Sequence, residues 1–117
     1  MKDLAITLAP TTGAWAGLTA TLGRAGVNLE GGGLFVHPPG ATAHYLVSDP
    51  DAVLAGRALS GSATSGLEVV VREVVMMRLD QGSPGELART AQALAAEGTA
   101  VLAQYSDHAG RLVLVLG

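Results

Sequence analysis

The chain repeats its own pattern at an offset of 72 residues, and this repeat constrains the fold more than any other feature. In both copies a strand-like segment leads through a glycine-bearing turn into a helical pattern, a closing glycine and a further strand. The positions that recur as the same residue type are Gly13, Ala16, Leu22 and Gly26 in the first copy and Gly85, Ala88, Leu94 and Gly98 in the second. The repeat predicts two related units, residues 1–73 and 74–117.

The first unit has the pattern of a strand, a helix, a hairpin, a second helix and a closing strand. Apolar residues at three- and four-residue spacing predict a helix over 13–25 with Trp15 in the core, and Gly26 suits the positive φ at its end. Asp49-Pro50-Asp51 is typical of a helix start, and this helix is expected to end near Leu59. The other predicted elements are strands over 3–9, 27–37 and 41–48, a turn at Pro38-Pro39-Gly40 and a polar loop over 60–66.

A β-rich run from Leu67 to Leu79 joins the two units. Beyond it, Ser83 and Glu86 have the spacing of a capping box, with Pro84 at the first helical position. The remaining predicted elements are a helix closed by Gly98 and strands over 99–106 and 111–116. The order βαββαβ followed by βαββ predicts an α+β, ferredoxin-like sandwich of tandem units, the second of them shortened.

The last predicted strand, Arg111–Leu116, alternates leucine with valine. A shortened unit without a second helix is expected to leave one face of this strand uncovered. Because exposed apolar strands invite a partner, the pattern predicts a homodimer that covers this surface.

Composition excludes several classes of protein. The chain has 117 residues, 49% of them hydrophobic and 15% charged, so a packed core is expected and disorder is not. The net charge is −3 and the seven basic residues are scattered, which argues against nucleic-acid binding, and four aromatic residues are too few for an RNA-recognition sheet. No apolar run is long enough to span a membrane, and cysteine is absent. We expect a soluble, cytoplasmic protein, and its Arg-, Ala- and Gly-rich composition suggests a GC-rich bacterial genome.

Two short motifs make the sequence similar to the ACT domain family. Pro84-Gly85-Glu86-Leu87 resembles the turn by which the first ACT strand enters its helix, and Gly26-Val27-Asn28-Leu29 resembles the end of that helix. The whole chain resembles small bacterial proteins made of two ACT units without a catalytic domain. The resemblance implies a non-enzymatic regulatory module that binds a small effector, most often an amino acid, between ACT units.

The resemblance also implies which residues bind the effector. They are Thr12, Gly13, Ser83 and Gly85 in the strand-to-helix turns and Asn28 where the second strand begins. Asp80, just before the second turn, is a candidate substitute for the family's Asp or Asn at that turn. Free N–H groups at a helix start suit a carboxylate, and an asparagine amide can donate to a carboxylate and accept from an ammonium group. The sequence departs from the family at Pro10 and Gly82, where Asp or Asn is common, and at Ala100, which replaces the second asparagine.

Other functions have weaker support in the sequence. The departures from the ACT pattern favour, as the alternative, a structural or partner-binding protein without a ligand site. An enzyme is not expected, because no carboxylate pair or histidine base converges on a predicted cleft. No metal or other cofactor is expected either: His108 lies in a distant turn, and the predicted hairpin register directs His44 away from the face of His37. Ser106-Asp107-His108 has the composition of a turn rather than the geometry of a catalytic triad.

Overall fold

A computed structural model describes residues 1–60, 67–80 and 82–117. The predicted loop at 61–66 therefore lies outside the described residues. The elements are β1 (Lys2–Leu8), α1 (Thr12–Arg24), β2 (Gly31–His37), β3 (Gly40–Val47), α2 (Asp49–Ser60), β4 (Glu68–Glu73), β5 (Val75–Met77), α3 (Glu86–Ala96), β6 (Val101–Ser106) and β7 (Leu112–Leu116). No helix in the described ranges is long and apolar enough to cross a membrane.

The first sheet contains β1 to β4 in the order β2-β3-β1-β4, with every neighbouring pair antiparallel. Its central strand, β1, pairs with β3 on one side and with β4 on the other, so that Leu4 lies opposite Tyr45 and Val71. This order is the ferredoxin-like arrangement that the βαββαβ pattern predicts, and the predicted fold class is confirmed.

Helices α1 and α2 cover one face of the first sheet. Leu18 and Leu22 of α1 and Ala55 of α2 have no exposed surface, and they pack on Leu4 and Ile6 of β1. The α1 start is fixed by Thr11, whose hydroxyl accepts a hydrogen bond from the backbone N–H of Ala14 at 3.1 Å. The main core of the protein is therefore the layer between this sheet and its two helices.

The second sheet contains the remaining strands in the order β5-β7-β6. β5, β6 and β7 correspond in sequence to β1, β2 and β3, and their order repeats that of the first sheet without a counterpart of β4. Helix α3 corresponds to α1 but buries none of its residues. The two units therefore share a topology and differ in how their helices pack.

The second sheet packs on the face of the first sheet that the helices leave open. Leu46 of β3 meets Tyr105 of β6 and Val113 and Val115 of β7 in a second apolar cluster, with Val74 at its margin. Since β strands place alternate residues on opposite faces, β3 supplies Tyr45 to the helix layer and Leu46 to the layer between the sheets.

The long apolar run between the units is two strands, not one. β4 ends at Glu73 in the first sheet and β5 begins at Val75 in the second, so the chain changes sheets at Val74. A run that is apolar on both faces carries no alternation to show where it leaves a sheet.

Both predicted helix caps are wrong in detail. α3 begins at Glu86 after Gly85, which has φ +92° and makes no side-chain cap, and the Glu86 carboxylate bonds to Arg89 instead of closing a capping box with Ser83. At α2 it is the Ser48 hydroxyl that accepts from the backbone N–H of Asp51 at 3.2 Å. Asp49 instead binds the N-terminal ammonium group at 2.8 Å.

Three further predictions are wrong: that one face of β7 is uncovered, that Trp15 lies in the core, and that His37 and His44 point to opposite faces of the sheet. β7 is the central strand of its sheet and is buried from Leu112 to Val115, because the first sheet and the α3 side cover its two faces. Trp15 is 40% exposed and only its indole N–H is held, by the Tyr45 hydroxyl at 2.9 Å. The hairpin register places His44 opposite Gly33 and His37 opposite Gly40, which puts both histidines on one face.

Candidate functional site

A polar pocket of about 340 Å³ lies where the start of β2 meets the turn between β6 and β7. Residues from both units form its wall: Asn28, Leu29, Glu30, Asp107, His108, Ala109 and Arg111. The pocket brings two carboxylates, a guanidinium group, an imidazole and a side-chain amide to one place.

Backbone contacts hold the two walls of this pocket together. The N–H of His108 donates to the carbonyl of Glu30 at 2.9 Å, and Gly31 forms an isolated bridge with Asp107. A Cβ atom on Gly31 would lie 2.8 Å from the Cα of Asp107, closer than side chains approach a backbone. Gly31 is therefore required for the two units to meet at this distance.

Asp107 builds the wall of the pocket that the second unit contributes. Its Oδ1 accepts from the backbone N–H groups of Ala109 at 3.0 Å and Arg111 at 2.7 Å, and its Oδ2 accepts from Arg111 Nε at 2.7 Å. Burial opposes ionisation of this carboxyl group, but the hydrogen bonds and the charge of Arg111 outweigh it and lower the pKa of Asp107. The turn is therefore fixed around an ionised carboxylate.

The guanidinium group of Arg111 can still donate hydrogen bonds to a ligand in this arrangement. Only its Nε takes part in the ion pair with Asp107, and its two terminal nitrogens make no hydrogen bond to a described residue. A guanidinium group anchored at one nitrogen is suited to bind a carboxylate with the other two.

Asn28 is fixed through its backbone and free at its side chain. Its N–H donates to Oδ2 of Asp51 at 3.0 Å, and the N–H of Asp51 in turn donates to the Ser48 hydroxyl that caps α2. The exposed side-chain amide of Asn28 makes no hydrogen bond within the described residues. The first turn of α2 thus positions the backbone of Asn28, whose side-chain amide lies at the pocket with no hydrogen-bond partner among the described residues.

The turn after β5 lies close to this pocket but does not line it. The Nη1 atom of Arg78 reaches the carbonyl of Ala109 at 3.4 Å and connects the two turns. Oδ1 of Asp80 accepts from the N–H of Gly82 at 3.0 Å, and the N–H of Ser83 donates to the carbonyl of Asp80 at 3.2 Å. These bonds hold Asp80 and Ser83 together ahead of α3, and neither they nor Gly85 line the pocket.

Thr12 and Gly13 lie elsewhere. They are in the first turn of α1, whereas Asn28 follows the other end of that helix. A helix of 13 residues is about 20 Å long, so these residues and Asn28 do not share one pocket within a single chain. The structure thus separates Asn28 from the first turn, and Asn28 alone of the predicted site residues lines this pocket.

Sequence reasoning missed Glu30, His108 and Arg111 as site residues. The turn Asp107-His108-Ala109-Gly110 is recognisable, but the contact of this turn with β2 depends on how the two sheets stack. The available signal is an Asp followed four residues later by an Arg, which favours a local ion pair and a rigid turn.

An apolar pocket of about 340 Å³ separates α3 from the second sheet. Leu87, Ala91 and Leu94 of α3 face Val101 and Leu114 across it. Leu87 remains 45% exposed, so the apolar face of α3 is present as predicted but is not closed onto the sheet.

A buried polar cluster joins the two sheets at Asp3. One carboxylate oxygen of Asp3 contacts Nδ1 of His44 at 2.9 Å, and the other accepts from the Tyr105 hydroxyl at 2.7 Å. Asp3 has no exposed surface. Burial, and then the hydrogen bond to Asp3, raise the pKa of Tyr105 far above its usual value. The cluster cross-links the sheets and offers no open cleft for a substrate.

The described ranges contain no group of side chains that supports metal binding. No set of three or more histidine, cysteine, aspartate or glutamate residues there is placed to hold an ion. His37 and His44, although on one face, bind different partners: Thr42 for His37 and Asp3 for His44.

Solved structures with this architecture give the class of fold. No protein-family model and no curated protein matches the sequence. Protein BT0572 from Bacteroides thetaiotaomicron superposes with a TM-score of 0.74 and 26% identity, over 99% of this chain and 77% of that one. The fold of the chain is ACT-like.

Two further structures are regulatory subunits of aspartate kinase. The ligand-free subunit from Thermus thermophilus has a TM-score of 0.74 and 19% identity, over 98% of this chain and 81% of that one. The subunit from Thermus flavus has a TM-score of 0.68 and 18% identity, over 99% of this chain and 83% of that one. These likenesses extend over nearly the whole chain and include both sheets.

Proposed function

We propose that the chain is a non-enzymatic regulatory module that binds an amino acid between two ACT-like units, residues 1–73 and 74–117. One observation carries the proposal: Asn28, singled out from the sequence, lies in a polar pocket that both units build. The likeness to regulatory subunits supports the same class of function.

The charges in the pocket suit a zwitterion. The terminal nitrogens of Arg111 can bind the α-carboxylate, and the Glu30 carboxylate can accept from the α-ammonium group. The amide of Asn28 can serve either group. An amino acid presents its two charged groups on one carbon, so a pocket lined by both a cation and a carboxylate suits it.

The two strand-to-helix turns belong to the proposal as additional contacts. Thr12 and Gly13 begin α1, and Ser83 and Gly85 precede α3. The N–H groups of Thr12, Gly13 and Gly85, together with the positive helix ends, favour an anionic group, and Ser83 can contribute its hydroxyl. Asp80, beside the second turn, can accept from an ammonium group through its Oδ2.

The first experiment is a thermal-shift panel of the twenty amino acids, each at millimolar concentration. A ligand present at about 100 times its Kd adds about 2.7 kcal/mol of stability and raises the Tm by several degrees. We expect one or a few related amino acids to stabilise the protein. A flat panel, repeated by calorimetry at higher protein concentration, would contradict amino-acid binding.

The site is tested with Asn28→Ala and Glu30→Gln against a matched control, Arg24→Ala, at the exposed end of α1. We expect the first two variants to raise the Kd at least about tenfold with little change in Tm, since each loses one direct contact to a charged ligand. The control should bind like the parent. Equal affinity in all three variants would place the amino acid outside this pocket.

A structural or partner-binding role is the second candidate. The residues Pro10, Gly82 and Ala100 at positions where ACT proteins are often polar favour it, as does the open apolar pocket beneath α3. The Asn28→Ala variant separates the two candidates. Under this second role the substitution changes neither the Tm in the presence of amino acids nor the affinity for any of them.

A further inference from the structure

The apolar pocket between α3 and the second sheet has the size of a small-molecule site. Its volume of about 340 Å³ is within the range of about 300 to 1,000 Å³ that is usual for ligand pockets. Leu87 and Leu94 of α3 form one wall, and Val101 and Leu114 of the second sheet form the other. We call this cavity the α3 pocket; it lies inside the second unit and shares no residue with the polar pocket between the units.

The internal repeat shows which residues keep the α3 pocket open. In the first unit Leu18 and Val27 are 0% and 7% exposed and pack into the core between the helices and the sheet. The residues 72 positions later are Thr90 and Thr99, and both line the α3 pocket. Two positions that carry apolar side chains in the closed unit therefore carry hydroxyl groups in the open one.

Polar groups in the α3 pocket oppose its closure. The hydroxyl of Thr99 and the side-chain amide of Gln104 make no hydrogen bond to a described residue, and Gln104 pairs with Leu114 on the sheet wall. The hydroxyl of Thr90 donates to the carbonyl of Glu86 at 3.2 Å, which leaves its oxygen able to accept. Packing α3 tightly onto the sheet would remove these groups from water without giving them partners, which is unfavourable.

We propose that the α3 pocket binds an uncharged, mainly apolar small molecule that carries one hydrogen-bonding group. The apolar walls hold its ring or chain, and Thr99 and Gln104 bind its polar group. A closed apolar cavity of about 150 Å³ holds one benzene ring, so a pocket of this volume has room for two fused rings. This site is separate from the proposed amino-acid site and does not depend on it.

The lining of the α3 pocket disfavours a charged ligand. Among the described residues that line it none is charged, and the polar ones are two threonines and one glutamine. Glu86 and Arg89, on the same helix, pair with each other at 2.7 Å. A carboxylate or an ammonium group would lose its water in the pocket without meeting an opposite charge. The α3 pocket therefore selects against the zwitterions that suit the polar pocket.

The α3 pocket also suits a small molecule better than a segment of protein. A single turn of helix, about 10 Å across and about 5.4 Å long, is larger than the whole pocket. A strand would bring backbone N–H and C=O groups that the apolar walls cannot satisfy. A compact ligand with one polar group has neither problem.

Isothermal titration calorimetry with indole tests the proposal on the full chain. Indole is uncharged, has two fused rings and donates one N–H group. We expect saturable binding with a Kd below about 1 mM, which is within the usual binding efficiency of a ligand of this size. Indole-3-acetate, which adds a carboxylate, should bind at least about tenfold more weakly. No saturable binding of indole, or equal binding of the two compounds, would overturn the proposal.

Ala91→Phe and Ala93→Phe are a matched pair of variants on α3. Ala91 lines the α3 pocket, whereas Ala93 does not, and both are exposed. The ring added at Ala91 fills the pocket, so we expect this variant to lose indole binding and Ala93→Phe to bind indole like the parent. Circular dichroism verifies that both variants are folded before the titration. Equal affinities in the two variants would overturn the proposal.

Gln104→Leu tests the hydrogen-bonding group of the α3 pocket. This variant keeps the size of the side chain and removes its amide, so we expect the Kd for indole to rise about threefold to tenfold. An unchanged Kd would overturn the role of Gln104.

Sedimentation velocity distinguishes a small molecule from a second copy of the chain as the occupant. If the parent associates, we expect Ala91→Phe and Ala93→Phe to associate to the same extent. Association that only Ala91→Phe abolishes would overturn the proposal, because that result places a side chain of a second copy in the α3 pocket.

Discussion

Residues 2–47 and 75–116 have the same order of elements, a strand, a helix and two strands, yet only the first of these segments lies in a closed helix layer. Leu22 of α1 has no exposed surface, whereas Leu94, the residue that repeats it, is partly exposed beside an open pocket. α1 has α2 beside it on a four-stranded sheet, and α3 stands alone on a three-stranded one. An apolar helix face therefore specifies where a helix will pack, while the neighbouring elements decide how completely it is buried.

The largest expected difference comes from truncating the two repeated leucines. Leu22→Ala should lower the free energy of unfolding by about 3 kcal/mol, because it leaves a cavity in a closed core. Leu94→Ala should cost less than about 1 kcal/mol, because its side chain borders open space already. Chemical denaturation monitored by circular dichroism measures both.

Equal losses at Leu22 and Leu94 would contradict this comparison. They would mean that α3 is packed in solution as tightly as α1. Measuring both variants over a range of protein concentrations separates packing within a chain from packing between copies.

The contact between the units is tested at Asp3. Asp3→Ala should lower the free energy of unfolding by about 2 kcal/mol, because it leaves the buried Tyr105 hydroxyl without its acceptor. Asp49→Ala removes a carboxylate from an exposed ion pair and serves as the control, with a much smaller effect expected. Thermal and urea unfolding report both changes. If the two variants were equally stable, Asp3 would contribute nothing to the packing of the sheets.

The repeated glycines Gly13 and Gly85 should respond in opposite directions. Gly13→Ala places a methyl group in open space within a helix and should stabilise the protein by about 0.5 kcal/mol. Gly85 has φ +92°, so Gly85→Ala should destabilise it by about 1 kcal/mol. Urea unfolding resolves the difference. A stabilising Gly85→Ala would indicate that the start of α3 adopts another backbone conformation.

The last prediction concerns Tyr105, whose ionisation changes the stability of the protein only in alkali. Burial and the bond to Asp3 raise its pKa above the usual 10.0, so the neutral phenol contributes its full stability below that pH. This stability is lost as the pH rises above 10.0, where the unfolded chain ionises first. Tm values measured at increasing alkaline pH should fall more steeply for the parent than for Tyr105→Phe. Parallel curves would contradict the role of the phenol.

Most of the fold follows from the sequence because its signals are local. Helix spacing, glycine closures and the internal repeat give the order of elements, and the first sheet has the predicted ferredoxin-like arrangement. The change of sheets at Val74 has no local signal, because Val, Met and Leu suit both sheets equally. The coverage of β7 was missed for a related reason: it depends on the stacking of two sheets that no short-range pattern describes.

The candidate site likewise contains one residue that the sequence identifies and others that it does not. Asn28 can be found from its place after a helix-closing glycine, within a motif similar to the ACT pattern. Arg111 and Glu30 are far apart in sequence, and only the bridge between Gly31 and Asp107 brings their segments together. The role of Asp3 could not be predicted from the sequence for a further reason. An aspartate near the start of a strand is usually an exposed residue, and nothing nearby identifies its partner Tyr105.

The hydrogen bond between Asp3 and Tyr105 spans 102 positions of the chain. During synthesis Asp3, the acceptor, therefore leaves the ribosome long before Tyr105, the donor, has been made. The first four strands can assemble in that interval, but their outer face keeps a hydrated carboxylate and an uncovered Leu46 until β6 and β7 emerge. Until then this face of the first sheet is without its apolar cover. β6 and β7 therefore complete the second sheet and also bury part of the first one.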